Sequence, residues 1–371
     1  GKTYLMEGAR QLTLAMLDSG VSPSVATAIV KYHLTEMMRE VINDAMDVHG
    51  GKGIMLGPTN YLMRIYQSIP ISITVEGANI LTRNMIIFGQ GAMRCHPCLM
   101  DEIQAVGEED PAHGLDDFDR TLGKHIIHII GSCARSFLLA LTGGYLSSRD
   151  KGERTLSRLS AALSFSVELV LILVGGQLKR RERISARLGD VLSYLYLGSG
   201  AIAQFNNNGR PAEEKLLYEW ALAYSAYKAQ EALWSLSQNL PLWASMVMRV
   251  VCFPFGRRYR LPLDKSDHKL AAMVLKAGPI RDRLVEGIYF PSEDDQALNQ
   301  LMQAFDLAHA SEAAKDKIHR AKRDGTLATE NVDEALVAGV IDIAEAELIK
   351  NALEARMRVV QVDDFAPEEY A

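Results

Sequence analysis

Apolar residues recur at helical spacing through almost every segment of this chain, and no run alternates apolar and polar residues between hairpin turns. That pattern predicts an all-α protein. Over 24–48 the residues Val25, Ile29, Tyr32, Leu34, Met38, Val41, Ile42 and Met46 form one inner face, with Ser22 and Pro23 as start signals. The pattern stops at HGGKG, where two adjacent glycines end a helix. A Gly/Pro-punctuated loop, GIMLGPTN, follows, and a further helix is expected from Glu76 or Gly77 to about 94. Later helices are expected near 117–142, 155–176, 183–205, 212–239 and 242–252, then near 265–276, 294–322 and 342–359. The tail VDDFAPEEYA reads as frayed.

With 371 residues, two domains are expected. The acidic, Gly- and Pro-bearing stretch 101–119 marks the boundary, giving domains 1–105 and 115–371. Composition is that of a globular protein, 48% hydrophobic and 23% charged. The net charge of −6 argues against a nucleic-acid binder, and four cysteines against a disulfide framework. The longest apolar run, VELVLILVGG at 167–176, is too short to span a bilayer by itself and is broken by Glu168, so it reads as a buried helix. The chain opens inside an amphipathic helix, GKTYLMEGARQL, which reads as a piece of a longer protein.

One stretch poses a chemical question. In ITVEGANILTR, 73–83, Glu76 stands among apolar residues, where a carboxylate is paired, solvated or kept dry for a purpose. Upstream lie DVHGGKG at 47–53 and YLMR at 61–64. Singly each is weak, and Gly-Gly alone is a C-cap. In this order they resemble the C-terminal helical domain of the acyl-CoA dehydrogenases. ITVEGANILTRNMIIFGQGAMRCHP and KRRERISARLGD resemble the large bacterial type of that family.

The resemblance implies an acyl-CoA dehydrogenase helical bundle in 1–105, followed by the additional helical domain of the large type in 115–371. It implies the oxidation of medium- or long-chain fatty acyl-CoA to trans-2-enoyl-CoA in fatty-acid β-oxidation, with FAD as cofactor. It makes Glu76 the base that removes the α-proton. Gly77 then lies beside the bound thioester, and Gly50, Gly51 and Gly53 approach the FAD of a neighbouring subunit. It further implies an electron-transfer flavoprotein as partner, a homo-oligomer, and the bacterial cytoplasm or the inner-membrane surface. Departures from the family pattern are Asp47 where many members carry Gln, Ala78 where many carry Thr, and a longer spacing from Arg64 to Glu76.

Three other motifs have plainer readings. CHPC at 95–98 lacks two further zinc ligands nearby, since His125 and His128 sit on a different helix. It reads as a helix end broken by Pro97, and no metal site is expected. QLKRRERISARLGD at 177–190 reads as a charged solvated stretch or as a subunit or CoA-phosphate contact. LPLWASMVMRVVCFPFGRRYR at 240–260 reads as a buried helix with a basic exit, or as an interfacial membrane anchor. Residues 115–371 show no catalytic constellation, so a non-catalytic membrane-attachment and oligomerisation module is the alternative to half an enzyme.

Overall fold

The periodicity is realised as helix after helix in the computed structural model, which describes residues 1–91, 96–289, 297–366 and 368. No strand occurs among them. The α-helices are α1 Lys2–Asp18, α2 Ser24–His49, α3 Leu62–Thr74 and the short α4 Asn79–Leu81, which runs on as π-helix over Thr82–Gln90. Then come α5 Leu99–Val106, α6 Pro111–Thr142, α7 Lys151–Val174, α8 Glu182–Asn207, α9 Lys215–Ser237 and α10 Leu242–Cys252. The last are α11 Asp264–Val274, α12 Pro279–Val285, α13 Ala297–Ala310, α14 Glu312–Arg323, α15 Val332–Val337 and α16 Ile343–Val360.

Two compact units form, residues 1–37 with 71–270, and residues 38–70 with 271–371. Neither is contiguous in sequence, unlike the division expected at 101–119. That stretch ends α5, turns over 107–110 and opens α6, which Asp110 caps by accepting from Ala112 N. It lies inside the first unit.

In the first unit α8 is central. Gly8 of α1 and Gly200 of α8 meet backbone to backbone, and a Cβ on Gly200 would stand 2.7 Å from Gly8 C. Only glycine permits that approach. On its other faces α8 joins a core with α7, α9 and α10 that includes Leu188, Val191, Leu159, Val170, Leu233 and Met248. The run 167–176 is the second half of α7, with Leu169 and Val170 buried as expected. The whole helix is longer than that run. α6 and α7, the latter extended to Leu178, are each apolar and long enough to cross a membrane. Ile127 and Ile130 of α6 are exposed.

In the second unit α13 packs on α16, and Ile318, Leu327, Ala335 and Ile349 form a small core. Its helix starts follow capping chemistry. Asn331 caps α15, and Asp342 with Glu345 forms a reciprocal capping box on α16. The single helix expected over 294–322 breaks at Ser311, between α13 and α14. Residues 294–296 and part of the tail lie outside the described residues.

α2 carries a buried titratable group. His33 packs edge-on against Tyr32 and Tyr194, and its Nε2 has no hydrogen-bond partner among the described residues. Burial, then the positive charges of Arg83 and Lys228, push its pKa down to about 3. A depressed folded pKa makes the stabilisation full above the unfolded value near 6.5 and removes it as pH falls towards 3. The loss approaches about 1.4 kcal/mol per pH unit below that value. His33→Phe is expected to shrink the fall in chemical-denaturation stability between neutral pH and about pH 4.5. An unchanged fall would place the acid sensitivity elsewhere.

Candidate active site

The Glu-Gly pair sits in a turn between α3 and α4 rather than at the start of a helix from Glu76. Glu76 has φ 53° and Gly77 φ 88°, both left-handed. A Cβ at Gly77 would meet only ordinary contacts, Thr82 Oγ1 at 3.5 Å and Ile86 Cδ1 at 3.8 Å. Within this chain glycine is therefore required there by conformation, not crowding. Glu76 has no such freedom, and the left-handed region costs a non-glycine residue roughly 1–2 kcal/mol. Its carboxylate is exposed and has no partner among the described residues. The dry surroundings suggested by the apolar sequence are not supplied by the neighbouring residues of ITVEGANILTR.

The strained turn is held by a polar clamp from α2. Lys31 Nζ donates to Gly77 O at 2.8 Å, Asn79 Oδ1 at 2.6 Å and Ile73 O at 3.4 Å. Asn79 is buried, and its amide donates to Thr35 Oγ1 at 2.9 Å and Glu36 Oε1 at 2.8 Å. Thr82 Oγ1 adds a bond to Gly77 O at 3.3 Å. The ammonium thus uses all three donors and the amide satisfies both its ends. The π-helical stretch after the turn is tied to α8 by Arg83, which forks onto both oxygens of Asp190 at 2.8 and 2.6 Å. Asp190 ends the basic motif read as solvated, so part of that motif is structural. Arg187 from the same motif bonds Ser235 Oγ at 2.9 Å.

The glycine loop belongs to the second unit. Gly50–Ile54 is a turn of 3₁₀ helix directly after α2. Gly50, at φ 59°, and Gly51 are exposed, with nothing within 4 Å of a Cβ on either. That bare backbone fits the close approach of a cofactor. The loop follows the C-terminal end of α2, so no α-helix N-terminus helps attract a phosphate there. Gly53 differs. It is buried, and a Cβ would stand 3.2 Å from Met46 O. Buried Asn60 ties the loop, donating to Lys52 O, Gly53 O and Met55 O. Lys52 Nζ is committed to Val359 O and Gln361 O, and Asp47 is exposed.

A third constellation was not expected. Cys95 lies outside the described residues, so CHPC as a pair is not described. The histidines dismissed as too scattered for a metal are gathered by the first unit around Glu168. That carboxylate is 2% exposed. Its Oε1 lies 2.8 Å from His96 Nε2 and 3.2 Å from His128 Nε2. Its Oε2 lies 2.9 Å from His125 Nε2, while His125 Nδ1 meets Glu102 at 2.7 Å. Burial opposes charge on both Glu168 and His125, yet their mutual hydrogen bonds win. Glu168 is held below the usual carboxylate range and His125 above the usual imidazole range. The signal in sequence was His-x-x-His on one helix face plus the charge interrupting 167–176. An apolar cavity of about 540 Å³ ends on Glu102, His125 and Glu168.

Two family descriptions match the chain. "Acyl-CoA dehydrogenase, C-terminal domain" matches residues 6–89, and "Acyl-CoA dehydrogenase, C-terminal, bacterial type" matches residues 93–365. No solved structure matches it.

If the Glu76 backbone is strained, Glu76→Gly is expected to raise stability by about 1 kcal/mol. Chemical denaturation of the two chains checks this. A loss of stability would mean that the turn gains more from the Glu76 side chain than its conformation costs.

Proposed function

The chain belongs to the acyl-CoA dehydrogenase family, and from that premise we propose that it is the C-terminal half of a flavin-dependent enzyme of fatty-acid β-oxidation. The reaction is α,β-dehydrogenation of a medium- or long-chain fatty acyl-CoA to the trans-2-enoyl-CoA. Glu76 is the base. The observation that carries this reading is the turn itself, a strained Glu-Gly pair fixed by Lys31 and Asn79 with its carboxylate left unengaged.

Glu76 takes the α-proton of the thioester onto a carboxylate oxygen. A carboxylate in water is a weak base, and desolvation strengthens it. The bound acyl chain supplies that dryness by covering the turn. The backbone N–H of Glu76 donates to the thioester carbonyl, where enolate charge develops. Gly77 keeps the turn in the conformation this needs. FAD, when bound, supplies the acceptor for the β-hydride. Gly50 and Gly51 offer it bare backbone, as part of a homo-oligomer in which the loop serves a neighbouring subunit, and Gly53 shapes the loop from beneath. An electron-transfer flavoprotein is the proposed electron acceptor.

A second activity is peripheral attachment to the inner membrane from the bacterial cytoplasm. α10 buries Ala244, Met248 and Val251 but exposes Leu242, Trp243, Met246 and Val250. One face of the helix is buried, and the exposed apolar face supports the reading as an interfacial anchor. Beyond it Arg258 lies over the ring of exposed Phe255, and Arg257 pairs with Glu231. An apolar face bordered by arginines suits an anionic bilayer surface.

Glu76→Gln in the complete flavin-loaded enzyme is expected to keep its flavin and lose acyl-CoA-dependent bleaching. Normal bleaching by that variant sinks the assignment of the base. Replacing Arg257, Arg258 and Arg260 by Glu is expected to abolish flotation with anionic liposomes. Unchanged flotation would exclude this surface as the anchor.

A further inference from the structure

The cluster around Glu168 plays no part in the dehydrogenation proposed above. It brings three imidazoles and two carboxylates together from four places in the first unit: the segment before α5, then α5, α6 and α7. Donor atoms of His96, His128 and Glu168 lie within 4.8 Å of one another.

The ring nitrogens sort these residues into roles. His96 Nδ1 accepts from the backbone N–H groups of Cys98 and Leu99, each at 3.1 Å. Its Nε2 must then carry the proton, which it donates to Glu168. A metal-bound imidazole needs the reverse, a bare ligating nitrogen and a proton on the other. His96 is therefore a support for Glu168 and not a ligand. His125 has the arrangement that ligation calls for, with Nδ1 on the Glu102 carboxylate and Nε2 directed to Glu168. His128 Nε2 faces the same carboxylate from the next turn of α6. His125 Nε2 and His128 Nε2 lie 2.9 and 3.2 Å from different oxygens of Glu168, Oε2 and Oε1, so one carboxylate links the two imidazoles.

Charge points the same way. No Lys or Arg hydrogen-bonds Glu102 or Glu168 among the described residues. Glu168 is buried and the Glu102 side chain is 15% exposed, so both carboxylates meet imidazoles rather than a basic side chain, a donor set that suits a divalent cation. The apolar cavity of about 540 Å³ is lined in part by Glu102, His125 and Glu168, so the cluster borders open volume.

We propose that His125, His128 and Glu168 bind one divalent transition-metal ion, with Glu102 orienting His125 and His96 orienting Glu168. Two imidazoles and one carboxylate leave coordination positions open, as in sites that bind or activate a further ligand. Ligation uses the lone pair of one nitrogen on each imidazole, so any proton on that nitrogen leaves it when the ion binds.

The test uses the full chain without an affinity tag, stripped with chelator and then equilibrated with Zn²⁺ or Co²⁺. Metal content by mass spectrometry is expected to reach about one ion per chain, with visible bands from bound Co²⁺. Glu168→Gln is expected to lose uptake while its circular dichroism stays helical. His96→Gln should keep the stoichiometry and the Co²⁺ band shape with affinity roughly 10–100-fold weaker. If Glu168→Gln does not fold, the half-exposed His128→Gln replaces it, and loss of uptake there supports the site. Wild type that takes up neither ion overturns the proposal, as does a folded Glu168 or His128 variant that binds like wild type. An altered Co²⁺ spectrum in His96→Gln would overturn the assigned ligand set.

Discussion

The first unit depends on how closely other elements can approach α8. At Gly8 and Gly200 the backbones of α1 and α8 meet directly, with Gln204 Oε1 beside Gly8. At Gly189 the carbonyl of Arg83 comes near the α8 backbone, and the neighbouring Asp190 takes the Arg83 guanidinium in a two-bond fork. One close contact positions α1 and the other the π-helical stretch that follows the candidate base. The core made with α7, α9 and α10 then fixes α8 itself.

From α8 outward, polar groups provide precision where apolar packing cannot. The turn at Glu76 sits in backbone conformations that no hydrophobic contact selects. What selects them is an ammonium with three acceptors and an amide with both ends satisfied. Glu168 shows the same logic at greater depth, one carboxylate collecting imidazoles from separate elements. Both networks are nearly complete, which is the condition under which buried polar groups rigidify rather than weaken.

Much of the helical architecture could be read from periodicity, because each helix buries one stripe. α3 could not. Pro70 and the β-branched ISIT run within Leu62–Thr74 disguise it, yet the segment is helical with Leu62 and Ile69 buried. Acidic and Gly/Pro-bearing sequence marks a cap and a tight turn as readily as a linker, and Asp110 is such a cap. At the site, Glu76 and the glycines were legible as motifs. Lys31, Thr35 and Glu36 were not, since hydrogen bonds spanning more than forty residues leave no trace in local spacing. The histidines were visible but looked scattered, because only tertiary packing brings position 96 to positions 125, 128 and 168.

The clamp on Glu76 also bears on how such a chain can be recombined. The candidate base and its turn are encoded within 73–83, but the groups that hold the turn are encoded in α2, before the glycine loop. A chimera exchanging only residues 60–100 with a relative would carry the carboxylate and leave its mount behind. Lys31, Thr35, Glu36 and Asn79 therefore form one heritable module, split in sequence, that must move together for the Glu76 turn to keep its shape.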